Sequence, residues 1–482
     1  MERMKILHAA AELFPYVKVG GLADVIAALP MALCNEEMHV RLLLPGFPAL
    51  MGAVRVYGTV AEYHDMMGAG HARLLAGEIP GTVPVYLLDA PGFYDRGGGP
   101  YDEWGDSHRR FAAFSWVAAQ LALNGDGEGF KPDVLHVHDW QTALAPAYVK
   151  FSGWDRKPAI VLTIHNLAYQ GVYPRHLLDD IWLPRECFHM NGAEYFGQVN
   201  FLKAGLAFAD RITTVSPTYA KEIQSKEGGY TLDGMLRRRA GDLVGILNGV
   251  DEVVWNPAKD PHLRTAFNAK NLKLNKGYNK KTFQAEMGLA EDPKAPLLGV
   301  VSRFDAIKGL DLIIPNIDYI VSLGAQMAIL GRGDYGMEMA FEDAVRRHPG
   351  YVSVYRGHDE GIAHRLIAAS DILLVPSRSE PCGLTQLYAM RYGTLPLGRR
   401  VGGLADTIVD ASPDAIEAGT ATGFLFFDPS SWVLGESITR AISLYKGSPD
   451  VWRKIQINAM AQHFTWTRSA KQYVDLYRAL AW

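Results

Sequence analysis

Cysteine is scarce in this chain: Cys34, Cys187 and Cys382 are the only three in 482 residues, an odd number without C-x-x-C spacing. That excludes a disulfide framework and a zinc ribbon and fits a reducing cytosol. Charge of one sign is lacking too. Lys and Arg number 48 against 52 Asp and Glu, a formal charge of -4, so no global field draws the chain to nucleic acid or to an anionic membrane, and any anion site is a local pocket. Long hydrophobic runs are missing as well: nothing reaches the roughly 18 uninterrupted apolar residues of a spanning helix. The N-terminal run MERMKILHAAAELFPYV is interrupted by His8 and Glu12 and followed by no small-residue cleavage site, unlike a secretory signal. What is present is an ordinary globular composition, 48% hydrophobic and 21% charged, able to offset its ordering entropy by burial. At roughly 100 to 200 residues per domain, the length predicts two or three domains.

The apolar runs are short and β-rich: MKILHAA, HVRLLLP, VPVYLL, DVLHVH, AIVLTIH, RITTVS, LVGILNGV, APLLGVVSRF, AQMAILG, YVSVYRG, DILLVPS and GTLPLG. Helix-like stretches such as Leu22 to Leu33, Ser107 to Leu123, Gly361 to Ala369 and Leu384 to Arg391 lie between many of them. Short buried strands alternating with helices predict parallel sheets built from β-α-β crossovers, a doubly wound α/β architecture. The strands form two sets, one ending at LVGILNGV and one starting at APLLGVVSRF, with a polar, Pro-containing stretch from about Asp251 to Pro296 counted with the second. VGGLADVI at Val19 to Ile26 echoes in VGGLADTI at Val401 to Ile408, which points to two similar α/β halves.

Ligands of open parallel sheets sit beyond the carboxyl ends of the strands, so motifs there carry the chemistry. KVGGLADVI, at Lys18 to Ile26, is either a phosphate cradle of helix N-terminal amides with a mobile lysine, or a tight turn with a solvated one. SRFDAIKGLDL sets Arg303 and Lys308 at a strand end, two cations that could neutralise a diphosphate. DILLVPSRSEPCGLTQLYAMRYG reads strand, loop, helix, with Glu380 in the loop and Cys382 read as a packing residue. LHVHDW and TIHN place His136, His138, Asp139 and His165 at strand ends, a set that could also hold a catalytic zinc. GRGDYG has the glycines of a dinucleotide loop, but the next strand closes on Arg356 and Gly357 rather than on an acid, which favours a plain glycine turn. Arg237 to Arg239 reads as a solvated helix face.

Taken in order, KVGGLADV, HVHDWQTALAP, TIHNLAYQG, ADRITTVSPTYAKEI, ILNGVD, SRFDAIKGLDL and EPCGLTQLYAMRYGTLP closely resemble the blocks of the bacterial glycogen synthases and plant starch synthases, from about Lys5 to Tyr477. The resemblance implies a GT-B fold: Rossmann-like domains at residues 1–248 and 249–460 facing an interdomain cleft, and a helical segment, 461–482, crossing back to the first. It implies a cytoplasmic enzyme that moves glucose from ADP-glucose to the nonreducing end of an α-1,4-glucan with retention. Neither metal nor cofactor is expected, and no nucleic-acid or membrane partner. Residue by residue, it implies that Lys18, Gly20, Gly21 and Asp24 face the donor from the first domain. His165, Asn166 and Asp139 would lie near the donor glucose and the acceptor, and Asn248 in the cleft. Arg303 and Lys308 would bind the diphosphate, Glu380 with the amides of Cys382, Gly383 and Leu384 the glucose hydroxyls, and Thr385 the phosphate; the catalytic set is His165, Glu380, Lys308, Arg303 and Asp139. Two positions depart from patterns in related enzymes. Tyr388 stands where sucrose-synthase-type enzymes carry a second Glu, and His358 where a tyrosine usually meets the nucleobase. The alternatives are a UDP-glucose-dependent synthase, a glycan-binding protein without turnover, and a zinc hydrolase using His136, His138 and Asp139.

Overall fold

A computed structural model describes residues 3–481, and the chain divides into two compact units. The first comprises residues up to Gly249 together with the helix Trp466–Ala481; the second is Val250–Thr465.

In the first unit the strands are β1 (Lys5–Ala9), β2 (His39–Pro45), β3 (Arg55–His64), β4 (His71–Glu78), β5 (Val85–Asp89), β6 (Val134–His138), β7 (Ala159–Ile164), β8 (Val172–Pro174), β9 (Glu194–Tyr195), β10 (Gln198–Asn200), β11 (Arg211–Thr214) and β12 (Leu243–Gly245). Nine of them form one sheet in the order β12-β11-β7-β6-β1-β2-β5-β4-β3, and β8-β10-β9 form a small antiparallel sheet. The central strands β1 and β6 are buried almost throughout, as parallel strands covered on both faces must be, His8, His136 and His138 included. The expectation of purely parallel pairing fails at one edge, where β3 pairs antiparallel with β4 and β4 with β5. β3, RVYGTVAEYH, lies largely in solvent and its register slips twice. Its polar residues suit an exposed edge and leave no apolar run to read.

The second unit holds β13 (Leu297–Val301), β14 (Gln326–Gly331), β15 (Val352–Arg356), β16 (Ile372–Val375), β17 (Leu395–Arg399) and β18 (Phe424–Phe426). They pair parallel throughout in the order β15-β14-β13-β16-β17-β18. Both sheets therefore start in the middle, run out to one side and then return to fill the other. The order reverses between β1 and β6 in one unit and between β13 and β16 in the other, and such switch points open a crevice at the carboxyl ends of the strands.

The helices Gly21–Asn35, Ser107–Asn124, Glu360–Ala369 and Thr385–Arg391 occupy the stretches read as helical. The last helix, Trp466–Ala481, buries Trp466, Ala470, Tyr473, Val474 and Tyr477. That is one stripe at helical spacing, packed against the helix Gly21–Asn35 in the core of the first unit. Each large side chain so buried contributes about 1.5 to 3 kcal/mol. Among the described residues no helix is long and apolar enough to cross a membrane.

The octapeptide echo does not mark equivalent places. VGGLADVI follows β1, the first strand of its sheet, whereas VGGLADTI follows β17, the fifth of its own. The place matching the first Gly-Gly loop is held by SRFDAIKGL after β13. Arg237 to Arg239 is also not one solvated face: Arg239 turns inward, donating to the carbonyls of Leu206 (2.6 Å) and Ala209 (2.8 Å) at the end of the helix Phe201–Phe208.

Candidate active site

In the second unit the loops after β13 and β16 meet at the switch point. Asp305 accepts from the Lys308 amide at 3.0 Å, forming a short turn that presents the lysine. Lys308 Nζ donates to both carboxylate oxygens of Glu380, at 2.7 and 3.0 Å, and Ser377 Oγ donates to Oε2 at 2.8 Å. Glu380 is buried and Lys308 nearly so, 10% and 23% exposed at the side chain, so solvent screens this pair less than a surface one. The two loops are joined by more than this contact. The Arg378 amide donates to Ile307 O (2.7 Å), and its guanidinium forks onto the Asp311 carboxylate (2.6 and 2.7 Å). Gly309 makes the approach possible: its φ is +68°, and a Cβ there would stand 2.2 Å from Pro376 O.

A third loop buttresses Glu380 from behind. Arg399, ending β17, donates to the carbonyls of Ser377 and Arg378 (3.1 and 2.7 Å). The Gly403 amide donates to Glu380 O at 3.0 Å, and a Cβ on Gly402 would lie 2.0 Å from that same oxygen. Cys382 is buried, Gly383 has φ +69°, and Gln386 Nε2 donates to the carbonyls of both (2.9 and 3.0 Å) just inside the helix that Thr385 begins.

In the first unit the loop after β1 wraps around Glu12. Its buried carboxylate accepts from the amides of Val19 (2.8 Å) and Gly20 (3.1 Å) and from Tyr101 OH (2.8 Å). Burial pushes the Glu12 carboxyl up, against the pull of those donors. Lys18 pairs with Asp24 at 3.1 Å and lies over the Phe14 ring. Across the switch point Asp139 has φ +55°, a left-handed conformation that Asp adopts at modest cost and that recurs at functional sites. There its Oδ1 accepts from the amides of His165 (2.7 Å) and Asn166 (3.4 Å). Burial raises the Asp139 pKa to about 7 despite those two amides. The His165 ring meets His138 at 3.0 Å, and burial lowers its pKa to about 3, so it is neutral.

Two family models match, the starch synthase catalytic domain over residues 5–238 and the glycosyl transferases group 1 over 283–456. The glycogen synthase of Variovorax paradoxus is 47% identical over 98% of both chains, and that of Paramagnetospirillum magneticum 46% over 99% of this chain and 98% of its own. The chain belongs to the glycogen and starch synthase family. Like its family it is a glucosyltransferase of glycogen synthesis. The catalytic domain of starch synthase IV from Arabidopsis thaliana, solved bound to ADP and acarbose, superposes with a TM-score of 0.90 at 34% identity, covering 99% of each chain. A sucrose-phosphate synthase from Thermosynechococcus elongatus, 19% identical with a TM-score of 0.61, shares the fold. The architecture is GT-B.

Against this glycogen synthase frame, the residues expected from the sequence fall into groups. Lys308, Glu380, Cys382, Gly383, Leu384 and Thr385 gather at the β13/β16 switch point, and Lys18, Gly20, Gly21, Asp24, Asp139, His165 and Asn166 at the loops after β1, β6 and β7. Asn248 is buried where the chain leaves β12. Arg303 stays half exposed, its nearest carboxylate Asp305 at 3.5 Å. His358 stands apart, exposed on the loop after the edge strand β15 with Glu360 at 3.8 Å. The Gly20 amide is not free for a phosphate, because Glu12 holds it; first-turn amides from Gly21 on have no partner within their helix. The zinc set does not assemble with Asp139: His136 and His138 instead lie beside His8, one ring nitrogen from each within 4.8 Å of one another. Both ring nitrogens of His136 and of His138 are hydrogen-bonded, and Asp139 turns to the backbone amides.

The GRGDYG glycines also take another role: Cβ atoms on Gly331 and Gly333 would strike Ser302 O and Phe304 O at 1.9 and 2.3 Å, so they let the loop after β13 lie flat on its neighbour. Sequence reasoning missed Glu12, Gly309, Ser377, Arg399 and the Gly402-Gly403 buttress. Glu12 left a signal, a lone acid interrupting an apolar run, and Gly402-Gly403 one that pointed elsewhere, the VGGLADTI echo.

Proposed function

We propose that this enzyme transfers glucose from ADP-glucose to the nonreducing end of an α-1,4-glucan, with retention of configuration, in the cytoplasm. The observation that carries the proposal is the Lys308–Glu380 pair at the β13/β16 switch point, a cation and a hydrogen-bond acceptor held side by side where this fold takes ligands. The likeness to a starch synthase solved with ADP and acarbose supports the adenine nucleotide and the glucan.

In this reading Lys308 and Arg303 meet the diphosphate, and their charge stabilises the leaving group as negative charge builds on it. Glu380, already gripped by Lys308 and Ser377, orients glucose hydroxyls together with the amides of Cys382, Gly383 and Leu384. Thr385 binds phosphate, and the His358 ring stacks on the base. In the first unit Lys18 and the Gly20-Gly21 turn serve the donor, Asn248 serves substrate, and His165 and Asn166 serve the sugars. Asp139 acts by fixing the backbone of the His165 loop. The test is incorporation of labelled glucose from ADP-glucose into glycogen, followed by digestion with an exo-acting α-1,4-glucanase. Release of the label as short α-1,4 fragments supports the proposal, and label that resists release or never enters glycogen refutes it.

A further inference from the structure

We propose that His8 and His138 are positioning residues that lock His165 in the tautomer carrying its proton on Nδ1, so that the ring meets its ligand as a hydrogen-bond donor. That the ligand is a sugar oxygen rests on the glucan synthase reading above; the tautomer rests on the geometry and burial of the rings.

Three rings form one string. His8 Nδ1 lies 2.9 Å from His138 Nε2, and His138 Nδ1 lies 3.0 Å from His165 Nε2. The ring centres are 5.2 and 5.3 Å apart. In both links this exceeds the N···N distance by about two full ring radii, the largest excess possible, so the contacts run in line, edge to edge, rather than face to face. Burial pushes the pKa of His8 and of His165 down to about 3, and that of His138 well below its usual value, so all three are neutral. A neutral imidazole has one N–H and one lone pair, and both links must therefore point the same way.

The inner end decides which way. His8 Nε2 is buried without a partner. Were the protons directed inward from His165, His8 would hold its own on that nitrogen, and orphaned buried N–H groups are rare because they forfeit a hydrogen bond to water. Directed outward, the string leaves only a bare lone pair there. His8 then donates from Nδ1 to His138 Nε2, His138 donates from Nδ1 to His165 Nε2, and His165 keeps its proton on Nδ1. That nitrogen has no partner among the described residues, and His165 keeps some exposure to solvent, unlike His8 and His138. His136 does not interfere, since its two nitrogens meet Tyr477 OH at 2.7 Å and Thr163 Oγ1 at 2.6 Å.

The experiment is a two-bond 1H–15N spectrum of the full-length protein labelled with 15N-histidine, with His165 assigned by comparison with His165→Asn. The expected result is His8, His138 and His165 all protonated on Nδ1; His165 protonated on Nε2 overturns the inference. Zinc ions added to the sample should leave these signals unmoved, and a stoichiometric shift of His8, His136 and His138 would instead make the cluster a metal site and overturn it. His8→Leu should give mixed tautomers at His165 and lower kcat/KM for the donor roughly tenfold, the loss expected for one net hydrogen bond. His8→Asn, which returns an N–H at the Nδ1 position, should recover to within about threefold; a His8→Leu enzyme with the wild-type spectrum and rate refutes the string. If His8→Leu does not fold, the wild-type spectrum and His8→Asn still decide. A protein that shows the expected tautomers but makes no glucan fails the functional reading and not this one.

Discussion

Lys308 and Glu380 are joined before any ligand arrives, and substituting each should move nucleotide binding in opposite directions. A unit charge pair at 4 Å attracts by about 4 kcal/mol at an effective dielectric of about 20. After desolvation, a hydrogen bond to a charged group retains about 1.5 to 3 kcal/mol. A diphosphate that takes Lys308 must draw it from Glu380, at 2.7 and 3.0 Å. Glu380→Gln keeps an oxygen acceptor for Lys308 and removes the charge, which releases about 1 kcal/mol of that competition and should tighten ADP binding about fivefold. Lys308→Ala removes the cation itself and should weaken ADP binding by about 10- to 100-fold. Both variants should transfer glucose much more slowly if, as proposed, the lysine serves the leaving group and the glutamate the sugar. Calorimetric titration of each variant with ADP reads the binding, and a glucose incorporation assay the rate. A Glu380→Gln protein that binds ADP as weakly as Lys308→Ala refutes the competition, and unchanged binding in Lys308→Ala removes that residue from the site.

Gly309→Ala places a Cβ 2.2 Å from Pro376 O at φ +68° and should destabilise the second unit by about 2 to 4 kcal/mol; a thermal melt with an unchanged midpoint contradicts the close approach. Asp139 has a carboxyl raised from 3.8 to about 7, so the folded protein binds the extra proton and this group makes stability fall as pH rises from about 4 to 7. Asp139→Asn keeps the Oδ1 acceptor and should flatten that slope, read from melts at pH 5 and pH 7.5; an unaltered slope contradicts the shift. Tyr477→Phe strands His136 Nδ1, a buried nitrogen held at 2.7 Å, and should cost the first unit about 1 to 2 kcal/mol. Chemical denaturation followed in that unit checks it, and no loss would mean that the helix Trp466–Ala481 is held by its apolar stripe alone.

Much of the fold was legible because parallel strands buried on both faces must be short apolar runs. All twelve runs read as strands coincide with strands of the two large sheets, DVLHVH with β6 and DILLVPS with β16 among them. Three strands of those sheets were not legible: β3, an edge strand in solvent that carries no such run, β4, whose buried residues are interspersed with exposed or half-exposed His71, Arg73 and Glu78, and β18, a three-residue strand too short to show one. At the site, Arg303, Lys308, Glu380, Asp139 and His165 were visible as polar residues at strand ends. Their supports were not. Gly309, Gly402 and Gly403 matter for the backbone that approaches them from far along the chain, and a glycine's letter does not name that neighbour. Arg399 and Ser377 act through carbonyls and a hydroxyl that only the folded loops bring together. His8 was noticed merely as a break in an apolar run, because its partner His138 lies 130 residues away.

An ADP-glucose-dependent glucan synthase that neutralises its diphosphate with Lys308 and Arg303, as proposed, needs no divalent ion for transfer. The most direct measurement is glucose incorporation into glycogen from ADP-glucose and from UDP-glucose, side by side, with and without EDTA. Strong preference for ADP-glucose and no effect of the chelator are expected. Preference for UDP-glucose would contradict the donor assignment at His358, loss of activity with EDTA would contradict a site served by Lys308 and Arg303 alone, and incorporation from neither donor would contradict the synthase itself.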